Sequence, residues 1–172
     1  IFSRAVGAST FVVPPYGECL MQKAVQLVCG VALFGVLAVS ASAQDVKPDR
    51  AIKYRQGVLQ AIGWNMGPMA AMVKGEKPYD KDEFLKRATW VSELAVMPFE
   101  GFTPGSDQGA PTKAKPEIWK EMAKFKQLGE AMQAASVKLV AAAKVGTLDA
   151  VKGPFGDLGK ACSNCHDDFR NK

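Results

Sequence analysis

Histidine is almost missing: the chain of 172 residues holds one, His166. That excludes bis-histidine ligation of a metal and removes the distal acid–base histidine that peroxidase-like catalysis needs. Cysteine is scarce as well. There are four in all, and Cys19 and Cys29 fall in the N-terminal quarter, so no second thiol pair is left to complete a zinc site around Cys162 and Cys165. No stretch alternates polar and apolar residues with period two, so no strands are expected, and a thioredoxin-like redox pair lacks its βαβ setting. Internal repeats and low-complexity tracts are missing too. Charge is mixed, not blocked: 22 basic and 17 acidic side chains give a net +5, without a run of one sign or interleaved aromatics. No nucleic-acid partner is expected from that pattern. A solvated surface with a mild preference for acidic redox partners fits it better.

What is present divides the chain. From Met21 the residues read as a secretory signal peptide: Lys23 is its positive start, 24–39 an uncharged apolar run, and Ser40-Ala41-Ser42-Ala43 an Ala-x-Ala cleavage site. The run is short for a membrane span, so cleavage is expected over residues 21–43 and no stable membrane anchor remains. Cys29 lacks the small preceding residue of a lipoprotein cysteine. Residues 1–20 show no periodic pattern and read as upstream sequence carried in by a misplaced start. Residues 44–172 are expected to form the folded domain.

Four amphipathic helices follow. The first opens with Pro48, and Ile52, Arg55, Leu59, Ile62, Met66, Met69 and Val73 recur at three-four spacing before Gly75 and Pro78 stop it. The second opens at Asp80 with Glu83 as a capping-box partner and carries Phe84, Ala88, Val91 and Leu94. Residues 98–115, rich in proline and glycine, form a long crossover. Phe99 and Phe102 within it either join the core or cover a cofactor edge. The third helix starts at Pro116 and runs through Ile118, Met122, Phe125, Met132 and Leu139. The fourth starts at Thr147, a fair N-cap, and runs Leu148, Val151, Phe155, Leu158, Cys162, Cys165, Phe169. Tight turn, long crossover, tight turn: the fold class is all-α, an antiparallel four-helix bundle with the crossover between helices 2 and 3.

The chemistry sits near the end of the fourth helix. Cys162-Ser163-Asn164-Cys165-His166 is a Cys-x-x-Cys-His run, the attachment signature of a c-type haem. Positions i and i+3 share a helix face, so both thiols reach one edge of a porphyrin, and the adjoining imidazole comes beneath the iron. A structural or redox thiol pair is the alternative. Both cysteines continue the helix's apolar seam, so the haem replaces layers of bundle packing. Arg55 stands where an aliphatic residue belongs. A buried guanidinium needs an anion, and a haem propionate would serve; the alternative is that Arg55 snorkels to solvent.

These residues resemble a known family. The C-terminal Cys162-x-x-Cys165-His166 with Asp167 and Arg170, Tyr54-Arg55-Gln56 on the first helix, and Phe99-x-x-Phe102-x-Pro104-Gly105 in the crossover are similar to cytochrome c′, the high-spin class II c-type cytochrome. The resemblance spans Pro48 to the C-terminus. It implies one haem c per chain held through Cys162 and Cys165, with His166 as the sole axial ligand of a five-coordinate iron. It places Arg55 and Gln56 at the propionates, Leu59 over the vacant face and Arg170 near His166. Thr112, Lys113 and Lys115 are further propionate candidates, none singled out. It also implies a homodimer in the bacterial periplasm. The expected function is non-enzymatic: electron transfer with redox partner proteins, binding of nitric oxide and carbon monoxide, or both. The alternative is a low-spin carrier with a methionine sixth ligand, Met66 or, a turn further along, Met69.

Overall fold

Proline at position 48 occupies the first turn of α1, Pro48–Lys74, where its missing N–H costs no hydrogen bond. Gly75 ends the helix at φ +78°, returning its N–H to Ala71 and Met72 carbonyls. This computed structural model describes residues 46–172. The expectations for residues 1–20, for the signal peptide 21–43 and for the cleavage point therefore lie outside the described residues. Asp80 caps α2, Lys81–Leu94, accepting from the N–H groups of Asp82 and Glu83. Glu83 does not return the capping bond. Its carboxylate takes Arg87 and Lys77 instead, because bonds to charged donors outweigh one to a neutral backbone N–H.

The third helix departs from expectation. It is two pieces, α3 (Glu117–Lys120) and α4 (Met122–Ala143), separated at Glu121, where φ is −118° and ψ 40°. The short piece is tied to the crossover by Trp119 Nε1, which donates to Thr103 O at 2.9 Å, whereas α4 follows the bundle. The final helix, α5, runs Leu148–Phe169, capped by Thr147, whose hydroxyl accepts from Ala150 N–H.

Neighbours in space follow the chain: α1 packs on α2, α2 on α4, and α4 on α5. The α2–α4 pair is antiparallel, since Ser136 faces Ser92 while Gly129, earlier on α4, lies against Phe99, beyond the end of α2. The antiparallel four-helix bundle is thus as expected. Its larger core gathers Met69, Met72, Phe84, Val91, Leu139, Val151 and Leu158. Burying side chains of this size is worth about 1.5–3 kcal/mol each. A second cluster of Ile118, Phe125 and Phe169, flanked by Phe99 and Phe102, packs separately.

Between α1 and α5 the bundle touches only along a short stretch. The buried row of α1 is Ile52, Arg55, Val58, Ile62, Asn65, Met69 and Met72. Leu59, expected in that row, stands beside it and is 40% exposed. Met66 and Val73 are likewise half-buried. One face of α1 meets α2, and the neighbouring edge is turned toward α5. Among the described residues no helix is long and apolar enough to cross a membrane.

Candidate functional site

The gap between α1 and α5 is a cavity of about 620 Å³, within the size range of small-molecule and cofactor sites. Arg55, Gln56, Leu59 and Met66 line it from α1, Cys162, Cys165 and His166 from α5, and Arg170 from just beyond the end of α5. Arg55, Gln56, Leu59, Cys162, Cys165 and His166, far apart in the sequence, thus line one cavity. Phe99 and Phe102 supply part of the wall and also stack into the second core, Phe102 at 4.6 Å from Phe125, edge-on. The core reading of these two rings holds, and the same rings also face the cavity.

Cys162 and Cys165 are half-buried free thiols one helical turn apart. Burial pushes the Cys162 thiol up. It pushes Cys165 to about 11, with the Cys162 thiol and Asp168 adding to the effect. A redox-active thiol pair is favoured by a stabilised thiolate, and burial works against one here. A zinc site fares no better, for among the described residues no three His, Cys, Asp or Glu side chains cluster to hold a metal. His166 is exposed beside the cysteines. Burial of part of its ring and the charge of Arg170 lower its pKa against the pull of Asp167, favouring the neutral imidazole that ligates metals.

Arg55 does not snorkel. It is 2% exposed, because the crossover brings acceptors to it. One terminal nitrogen donates to Gly101 O and Ser106 Oγ, both at 2.8 Å. The other donates to Ser106 O at 2.8 Å and Thr112 Oγ1 at 3.2 Å. The Phe102 ring lies 4.5 Å from the guanidinium carbon, a favourable cation–π distance. All four hydrogen-bond partners are neutral; burial lowers the guanidinium pKa, and only the more distant charge of Asp107 works against that. Of the five N–H donors, that on Nε has no partner among the described residues. A buried cation with one free donor at the cavity wall is a fit for an anionic group.

Gln56 is exposed and holds the crossover, donating from Nε2 to Pro111 O at 2.9 Å. Of the three further candidates, Thr112 and Lys113 reach the cavity. Lys115 does not. Its ammonium donates to the carbonyls of Asp167 and Asp168, both at 3.0 Å, at the end of α5. Gly63 and Gly159 also line the cavity, and a Cβ added at either meets nothing within 4 Å. Sequence reasoning passed them over, although glycine inside a helix costs about 1 kcal/mol against alanine and so asks for a reason.

Apolar walls, two thiols on one helix face, an adjoining imidazole and a buried cation together suit a covalently tethered, propionate-bearing macrocycle. The family model for cytochrome c′ matches residues 50–170. The chain belongs to the cytochrome c′ family. It is 41% identical over 129 residues to the cytochrome c′ of Alcaligenes xylosoxydans xylosoxydans, covering 75% of this chain and 99% of that one. The crystal structure of cytochrome c′ from Rubrivivax gelatinosus aligns with a TM-score of 0.70 at 39% identity, covering 73% of this chain and 98% of the other. A nitric oxide complex of a leucine-to-alanine variant of cytochrome c′ from Alcaligenes xylosoxidans aligns at 0.69 and 40%, covering 74% and 98%. Cytochrome c′ is itself a reference case for the up-down-up-down bundle. The family carries haem c attached through cysteines, and haem c is the cofactor of this chain; Cys162 and Cys165 are the cysteines on its cavity wall.

Proposed function

We propose that this member of the cytochrome c′ family is an exported, periplasmic mono-haem protein whose iron keeps one open position, serving in electron transfer, in binding nitric oxide and carbon monoxide, or in both. The observation that carries this reading is the meeting of Cys162, Cys165 and His166 on one wall of a cavity with an apolar residue, Leu59, on another. When bound, haem c supplies an iron that exchanges single electrons and takes a diatomic molecule wherever a coordination position is free. Cys162 and Cys165 would hold it through thioethers. His166 would be its one protein ligand, since the chain has no other imidazole. Leu59 cannot ligate a metal; its bulk would limit what enters and keep water out. Arg55, through the free Nε–H, and Gln56 beside it would meet the propionates, with Arg170 close to His166.

Export rests on the leader at 21–43. A catalytic role has no support from the α1 wall, which offers neither an imidazole nor a carboxylate for proton transfer. Tyr54, Trp64 and Trp90 are exposed on α1 and α2, Trp64 at 78%, an apolar surface suited to a homodimer. One observation favours a second reading: Met66 lines the same cavity and would be the sixth ligand of a low-spin carrier. Met69 is fully buried in the larger core instead. The ferrous spectrum, taken before and after adding nitric oxide, decides between them. A high-spin Soret band that moves on addition supports the open position. A sharp low-spin spectrum indifferent to the gas refutes it and points to Met66.

A further inference from the structure

A second, shallower concavity of about 480 Å³ adjoins the cavity, sharing Lys113, His166 and Arg170 with it. Lys113, Lys115, Arg170 and Lys172 line it, and Asp167 is its one carboxylate side chain. Lys53, Lys74, Lys77, Lys120, Lys124 and Lys152 pair with carboxylates, and the exposed Lys126 and Lys138 of α4 do not, but those two are not gathered beside the cavity. None of the four cations of the concavity meets a carboxylate within 4.0 Å among the described residues. The fold makes this patch. The crossover strand is fastened to the end of α5 by Lys115 N–H to Phe169 O and by Asn171 N–H to Lys113 O. Two lysines distant in sequence are thereby set beside Arg170 and Lys172. Lys115 cannot turn away to find an acid, because its ammonium is held on the carbonyls of Asp167 and Asp168.

We infer that this basic concavity is the docking surface for a one-electron carrier protein with an acidic face, brought in directly over the His166 end of the cavity. Unpaired cations grouped on one face create a local field that raises the encounter rate of a partner of opposite charge. Four cationic side chains against one carboxylate side chain complement an acidic protein face. Its continuity with the cavity through His166 and Arg170 sets the docked partner beside the redox group. The inference rests on the electron-transfer part of the proposed function and adds the partner's charge and place.

The test uses ferric holoprotein reduced by an acidic [2Fe–2S] ferredoxin, with dithionite as the small-molecule control. Lys113→Glu/Lys172→Glu is compared with Lys126→Glu/Lys138→Glu, which makes the same change in net charge on exposed positions of α4. At low ionic strength the first variant should be reduced about tenfold more slowly than wild type, and the second far less affected. The gap should close by about 0.3 M salt, where screening is nearly complete over protein dimensions. Equal slowing of the two variants overturns the docking surface. So does slowing of the wild type by inorganic phosphate beyond the effect of chloride at equal ionic strength, which would assign the concavity to a small anion. Reduction by dithionite but by no protein donor, acidic or basic, would instead remove the electron-transfer reading beneath it.

Discussion

Arg55 is the only charged side chain in the core among the described residues, and it holds the crossover against α1 through neutral acceptors alone. Arg55→Leu would strand those acceptors, at about 1–3 kcal/mol for each left unsatisfied, so a loss of about 3–5 kcal/mol is expected. Against a total of roughly 5–15 kcal/mol for a domain, that is large. The thermal midpoint of the holoprotein should fall. Its reduction potential should fall too, because a nearby positive charge favours the form with one more electron. A potentiometric titration and a thermal scan check the two effects separately; unchanged values in both would mean that Arg55 neither holds the crossover nor faces the haem. Leu59 makes a cleaner case. It is 40% exposed and belongs to neither core cluster, so Leu59→Ala should cost little stability. It should speed carbon monoxide binding about tenfold, equivalent to a barrier lowered by ~1.4 kcal/mol. Stopped-flow mixing reads this directly, and an unaltered rate constant would remove Leu59 from the entry path.

At the level of the helices, backbone preference and packing can oppose each other, and magnitudes decide. Gly129 in α4 is buried, and a Cβ there would come within 2.5 Å of the Phe99 ring. Alanine gains about 1 kcal/mol of helix propensity but forces the ring to move, at a typical 1–3 kcal/mol. Gly129→Ala should therefore destabilise, while Gly156→Ala, exposed in α5 with open space around it, should stabilise by up to about 1 kcal/mol; urea midpoints of the two variants test the contrast. Glu83 ties the start of α2 to Lys77 and Arg87, whose hydrogen bonds hold its carboxyl below the ordinary glutamate range. That contribution is present above the unfolded pKa and is lost as pH falls through the lower folded one. Glu83→Gln should thus lose stability around pH 7 and little at about pH 3, seen as converging unfolding curves. The helix ends were legible because Pro48, Gly75, Asp80 and Thr147 act through local backbone chemistry. The break at Glu121 was not, since it comes from Trp119 bonding a carbonyl of the distant crossover. Glu83 was misread for the same reason: its cations lie outside the capping motif. Cys162, Cys165 and His166 could be found from their spacing and Arg55 from its place in an apolar row, whereas Gln56, Leu59 and Arg170 came from the resemblance alone; by spacing Leu59 seemed a core position, because spacing cannot tell a helix face that meets a helix from one that meets a cavity.

For the molecule as a whole, the haem cavity is a structural demand as well as a functional one. The bundle closes along α1–α2, α2–α4 and α4–α5, and between α1 and α5 it has the cavity in place of a full seam. An apolar-walled cavity of about 620 Å³ left without its occupant forfeits packing contacts and exposes apolar side chains to water. A domain's net stability of roughly 5–15 kcal/mol leaves little margin for such a loss. The chain without haem should therefore not keep this architecture at full rigidity; folding and haem attachment are coupled. The division into two clusters says where the loss falls. The larger core draws on α1, α2, α4 and α5 and borders the cavity only in part, through Ile62, Met66, Met132 and Cys162, whereas Phe99, Phe102, Phe125 and Phe169 of the smaller cluster all line it. In Cys162→Ser/Cys165→Ser protein prepared without haem, amides of α2 should stay protected in hydrogen exchange. Those near Arg55 and His166 should exchange fast, and the protein should bind the dye ANS, a mark of exposed apolar surface. A haem-free variant that unfolded as cooperatively and as late as the holoprotein, with uniform protection, would show that the four helices hold the cavity open unaided.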